Sequence, residues 1–242
     1  MYRFFAETSN KDGNLIYLYG NTYAHIKNSL RKKVNDEIEI IIDKKLFLCK
    51  IIDFEDSKVV AEIIEEKKTV NESNLRIHYC QSIPKKDKPE SIFQRAVELG
   101  VVEIIPFISN RTIVKFDEKS KRKKQERYER IVESSSKQSK RDIIPQVSDI
   151  LEFDDLVESL KGKNVMLAYE EGGLPLKEAF SNINQNEDIY ILIGPEGGFE
   201  KYEVEKISQI GGQIISLGNR ILRVETAGLS LISILQYELG DM

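Results

Sequence analysis

Residues 189–199 read Ile-Tyr-Ile-Leu-Ile-Gly-Pro-Glu-Gly-Gly-Phe, an apolar strand-like run that empties directly into a turn of three glycines and a proline. Glycines packed this closely indicate a backbone in conformations closed to most side chains, and they let a ligand approach the main chain. Glu196, a charge inside the turn, is unexpected in a plain chain reversal, for which Asn-Gly or Asp-Gly would suffice. A phosphate loop is a second reading. The segment lacks both the G-x-x-x-x-G-K-[ST] and the G-x-G-x-x-G spacing, and its acidic residue would repel phosphate.

Around this stretch, strands are predicted at Leu75–Gln81, Val102–Pro106, Val165–Tyr169 and Gln213–Leu217, separated by helical patterns. Ile92, Phe93, Ala96 and Val97 share one helical face, as do Ala227, Leu231, Ile234 and Leu235 near the C-terminus. Such alternation predicts a mainly parallel sheet covered by helices. Ligands of open α/β sheets gather at the carboxyl ends of strands, which singles out the loops after Ile193 and Leu217. The second loop reads Gly218-Asn219-Arg220-Ile221-Leu222-Arg223-Val224-Glu225-Thr226-Ala227. Thr226 or Glu225 is expected to cap the last helix, but capping does not explain an Ile-Leu pair between two arginines. Apolar residues beside charged ones suggest a pocket wall.

The N-terminal part reads differently. Glu37–Ile42, Leu46–Ile52 and Lys58–Ile64 are short β-branched segments divided by Asp43-Lys44-Lys45 and Glu55-Asp56-Ser57, a small all-β module, expected to be a compact barrel. The polar stretch from Glu66 to Asn74 marks the change of pattern, so residues 1–70 and 71–242 are expected to be two domains. A chain of 242 residues with 40% hydrophobic content suffices for two modest cores. Cys49 and Cys80 form no C-x-x-C pair and His25 and His78 stand far apart, so neither a disulfide framework nor a metal site is expected. No apolar run is long enough to span a membrane or direct export, and a cytoplasmic location is expected.

Net charge is −4, which by itself discourages a nucleic-acid partner. Its distribution does not: ten Lys or Arg fall between Lys119 and Arg141 against three Glu, a local +7 that leaves −11 for the rest. A solvated helix face is the plain reading of such a run.

The two loop motifs resemble those of the RsmE-type ribosomal RNA uridine-N3 methyltransferases of the SPOUT superfamily. The resemblance is carried by Ile193–Phe199 and by Leu217–Ala227, and it extends to Ala96–Val101, to Gln138-Ser139 with Arg141, and to Tyr2–Phe5, so it covers essentially the whole chain. Val224, Val97, Arg95, Lys137 and Asn35 depart from the family's usual residues, yet no motif glycine, nor Glu196, Arg223 or Glu225, is lost.

This resemblance implies a PUA-like β-barrel followed by an α/β SPOUT methyltransferase domain with a deep C-terminal trefoil knot. It also implies a homodimer that binds S-adenosylmethionine, needs no metal, and methylates N3 of a uridine in 16S rRNA of the small ribosomal subunit. Leu192, Ile193, Gly194, Glu196, Gly197, Gly198, Leu217, Gly218, Ile221 and Leu222 would hold the cofactor, with Arg223 and Glu225 catalytic. RNA would meet Lys121, Arg122, Lys123, Lys124, Arg127, Lys140 and Arg141, together with Arg3, Arg31 and Lys33 of the barrel; with no obvious aromatic platform there, recognition by shape is expected. Two other readings stay open on sequence: a SPOUT methyltransferase acting on tRNA or 23S rRNA, and a non-catalytic RNA-binding protein of ribosome assembly.

Overall fold

The computed structural model describes residues 1–84, 88–112 and 117–242. Two compact units are present, one of residues 1–72 with 136–143, the other of residues 73–135 with 144–242.

In the first unit, strands β1 (Arg3–Phe5), β2 (Lys11–Asp12), β3 (Leu15–Tyr19), β4 (Glu37–Ile42), β5 (Lys45–Glu55) and β6 (Lys58–Lys67) form one sheet in the order β1-β4-β5-β6-β3-β2. Helix α1 (Gly20–Ala24) follows β3. Period-two alternation puts Ile16 and Leu18 of β3 and Ile38, Ile40 and Ile42 of β4 into a shared core. Register shifts at Leu48/Cys49 and Ile51/Asp53 bend β5 along its length. The β4–β5 and β5–β6 hairpins turn at Asp43-Lys44 and Asp56-Ser57, all four residues at positive φ, as tight two-residue connections require.

The second unit is an all-parallel sheet. Its strands are β7 (Ile77–Ser82), β8 (Glu103–Ile108), β9 (Gln146–Val147), β10 (Leu151–Glu152), β11 (Asn164–Ala168), β12 (Leu174–Pro175), β13 (Ile189–Ile193) and β14 (Gln213–Ser216). They run in the order β10-β8-β7-β13-β11-β14-β12, with β9 on β8. Helices α2 (Lys88–Glu98), α3 (Glu118–Gln138), α4 (Phe153–Ser159), α5 (Leu176–Ser181), α6 (Lys201–Gln209) and α7 (Val224–Leu239) connect or flank the strands. β13 is buried at all five positions, the signature of a central parallel strand. One face packs with α2 and α7 through Phe93, Val97, Leu231 and Leu235; the other packs with α4 and α6 through Leu156 and Ile207. Because β11 lies between β13 and β14, the chain segments leaving these three strands emerge side by side.

Candidate functional site

A cavity of about 460 Å³ lies at the carboxyl ends of β11, β13 and β14. Its walls are the three segments that leave those strands: 168–170, 193–199 and 217–224 with Ala227. The volume falls within the ~300–1,000 Å³ usual for small-molecule sites.

The glycine turn is shaped by its neighbours. Gly198 adopts φ +69°, in the left-handed region, and its N–H closes a turn onto the Pro195 carbonyl at 2.9 Å. A β-carbon there would meet the Glu170 carboxylate, the movable end of an exposed side chain, so it is the backbone conformation that calls for glycine. Phe199 turns inward against Phe107, ring centroids 6.3 Å apart. Glu200 then caps α6 in a reciprocal box: its side chain accepts the Glu203 N–H, and Glu203 accepts the Glu200 N–H at 2.8 Å.

The opposite wall carries the positive charge. Arg223, and not Thr226 or Glu225, is the N-cap of α7, and it makes no side-chain cap bond. Arg223 lines the cavity at the positive end of a sixteen-residue helix. Arg220 lines the same wall, and Leu217 and Leu222 supply apolar surface beside it. Ile221 also lines the cavity while 90% exposed, the most solvent-open large apolar side chain in the chain's described residues.

Most of the expected cofactor residues therefore meet around one space. Leu192 does not: neighbouring residues of a strand point to opposite faces, so its side chain lies in the α4–α6 core with Cys80 and Leu167 while Ile193 reaches the cavity. Glu225 sits half-buried in the first turn of α7, outside the cavity lining. A third wall, Ala168-Tyr169-Glu170, was not anticipated, although the rule that selected the other two loops applies equally to the strand before it.

Among the expected RNA contacts, Arg3 and Arg141 are placed differently. Arg3 is 4% exposed and bonds Glu39 at 3.0 Å and Asp142 at 2.6 Å, while Arg141 is 3% exposed and grips Glu72 through Nε at 2.9 Å and Nη2 at 2.6 Å. Both are internal struts of the first unit, because a buried guanidinium needs carboxylates around it. Arg31, Lys33 and Lys140 are exposed. On α3, Arg122, Lys123 and Arg127 are exposed and Lys124 is half-buried; Lys121 is drawn to Glu118 at 3.4 Å and Glu152 at 3.1 Å, and Arg127 to Glu90 at 2.5 Å. Among the described residues no group of three or more His, Cys, Asp or Glu could hold a metal ion, and no helix is long and apolar enough to cross a membrane.

Residues 71–236 match the family model of the RNA methyltransferase domain, and residues 18–64 that of the RNA methyltransferase PUA domain. The chain is 32% identical to ribosomal RNA small subunit methyltransferase E of Bacillus subtilis, over 98% of this chain and 97% of that one. With the protein of the same name from Mesomycoplasma hyopneumoniae it shares 35% identity over 96% and 98%. The chain belongs to the ribosomal RNA small subunit methyltransferase E family. A solved member from Neisseria gonorrhoeae, bound to S-adenosylmethionine, superposes with a TM-score of 0.90 at 32% identity, covering 100% of this chain and 99% of that one. A Legionella pneumophila methyltransferase in complex with the same cofactor does so at 0.90 and 29%, covering 99% and 98%. The fold is thus a SPOUT methyltransferase domain with a PUA-like module before it, the architecture expected from the loop motifs.

Proposed function

We propose that this protein transfers a methyl group from S-adenosylmethionine to N3 of a uridine in 16S rRNA, acting in the cytoplasm as a homodimer whose C-terminal segment is knotted. The observation that carries the reading is the meeting of the glycine loop and the arginine loop around one cavity at the carboxyl ends of neighbouring strands.

The residues present suit the cofactor. Ile193, Leu217 and Leu222 offer apolar surface to an adenosyl group, and the bare backbone of 194–198 offers peptide groups at close range. Once bound, S-adenosylmethionine supplies an electrophilic methyl group on a sulfonium. The protein must do the rest. Uridine N3 carries a proton between two carbonyls; when it leaves, negative charge spreads over the nitrogen and both oxygens. Arg223 answers that charge with planar donors at a helix N-terminus on the cavity wall. Glu225, two residues further along and outside the cavity lining, is assigned to orienting this arginine rather than to receiving the proton.

Charge supports the substrate class, since exposed Arg122, Lys123 and Arg127 on α3 and exposed Arg31 and Lys33 of the first unit suit an RNA backbone. Exposed Ile221 and Tyr237, at 90% and 72%, are surfaces that a second copy would cover. Mass mapping of modified nucleosides in ribosomal RNA, with and without the gene, tests the assignment. Loss of one N3-methyluridine from 16S rRNA is expected; an unchanged 16S profile would refute it.

A further inference from the structure

The glycine turn is braced from outside as well as by its own Gly198 to Pro195 bond. Glycine gives up more conformational freedom on ordering than any other residue, and three of the five residues 194–198 are glycine. Support arrives from a different loop, the one that leaves β8. There Arg111 donates from Nη1 to the Gly197 carbonyl at 2.7 Å. Its methylenes also lie against the bare face of Gly197, where a β-carbon would come within 3.4 Å of Arg111 Cβ and Cδ.

The arm that carries Arg111 is itself fixed. Asn110 donates from Nδ2 to Glu200 at 2.8 Å and from its backbone N–H to the buried Glu203 at 3.1 Å, so it grips the same capping box that starts α6. Arg111 Nε adds a contact to Glu200 at 3.8 Å. Behind them, the Ser109 N–H donates to Thr112 Oγ1 at 3.0 Å, and Ser82 Oγ lies 3.0 Å from both hydroxyls. The contacts of Asn110 and Arg111 all end on the segment 197–203, and the three hydroxyls brace the arm from behind.

We propose that Arg111 is a positioning residue for the methyl-donor site: it holds the Gly197 peptide in its binding conformation without itself lining the cavity. The inference rests on the methyltransferase reading above. A planar guanidinium reaches a carbonyl with one nitrogen while another faces a carboxylate; an ammonium at the same place offers a single point. The Arg111 side chain is 45% exposed, so its loss opens no buried hole and leaves folding intact.

Calorimetric titration of the full chain with S-adenosylmethionine and with S-adenosylhomocysteine, alongside steady-state kinetics, tests this. R111A is expected to weaken both ligands about tenfold, raising KM for the donor while kcat at saturation stays within about threefold. R111K is expected to recover little of the loss, and both variants to melt within about 2 °C of the parent. A purely electrostatic role predicts the opposite sign, because removing a cation would favour the positive sulfonium over its neutral product; selective tightening of S-adenosylmethionine would overturn the proposal. Unchanged dissociation constants, or a raised KM for RNA alone, would overturn it too. The two readings fail separately: a parent protein that takes up no S-adenosylmethionine fells the function and this inference together, whereas a parent that binds and a variant that binds equally fells only the role of Arg111.

Discussion

Arg223 is at the N-cap of α7 but does not cap it, and this is what makes it available. A Ser or Asp there would bond back to the helix N–H groups, whereas the long guanidinium extends to the cavity wall and adds its charge to the positive helix end. Losing one such directed donor costs about 10²–10³ in kcat when charge develops in the transition state. R223A should therefore lose methyl transfer by at least that factor, with S-adenosylmethionine still binding within about threefold by calorimetry. Near-native turnover would remove Arg223 from catalysis. At this scale the sequence was legible wherever glycine and arginine share a loop. It was illegible at Arg3 and Arg141, because nothing local announces that Glu39, Asp142 and Glu72 will close around them. The Leu192 side chain points away from the cavity because adjacent residues of one strand face opposite sides of the sheet.

Elements were legible in proportion to their burial. β4 and β13 begin and end where their β-branched runs do, while β5 and β6 extend beyond them because hairpin pairing continues into polar residues such as Glu65 and Glu66. Helices α4, α5 and α6 span only six to nine residues and bury few positions, and α6 starts on a Glu-x-x-Glu box where a hydroxyl residue is the usual signal. Helix α3 is the informative case. Its apolar content is slight, yet Tyr128 and Val132 are buried, and Tyr128 meets Phe93 edge to face with ring centroids 4.8 Å apart. One stripe fastens the helix and the remaining faces present cations. The ion pairs from Arg127 to Glu90 and from Arg122 to Glu126 at 3.6 Å do not disable them, since exposed pairs are worth only about 0–1 kcal/mol and can exchange for phosphate. Replacing Arg122 and Lys123 by Glu should weaken RNA binding and lower the slope of log K against log salt by about two, with the melting temperature nearly unchanged. A slope equal to that of the parent in a filter-binding series would return α3 to being a solvated helix.

Across the second unit, chemistry and charge are divided between the two ends of one sheet. The cavity lies at the carboxyl ends, while the amino ends hold a compact ionic cluster. His78, 6% exposed, faces Glu103 at 2.5 Å through Nδ1 and Asp188 at 2.9 Å through Nε2, and it stacks on Tyr190 with centroids 4.2 Å apart. Arg76 adds a bond to Asp188 at 2.7 Å, and Ser148 one to Glu103. Burial alone would raise the pKa of Glu103, but the bonds from His78 and Ser148 and the charges of His78 and Lys163 outweigh it, and the carboxyl is held below its ordinary value. Asp188 is lowered in the same way, burial again being outweighed by Arg76 and His78. A depressed carboxylate contributes stability above its unfolded pKa, and the contribution vanishes as pH falls through the folded one. The parent protein should therefore lose melting temperature steeply from about pH 5 downward, where the unfolded carboxyls begin to bind protons. E103Q removes one of the two groups, so it should melt lower than the parent at pH 7 and show a shallower decline below pH 5. Because the cavity is at the other end of the strands, its dissociation constant for S-adenosylmethionine at pH 7 should be unaltered. Parallel melting curves for parent and variant from about pH 7 to about pH 3 would show that the cluster contributes no pH-linked stability.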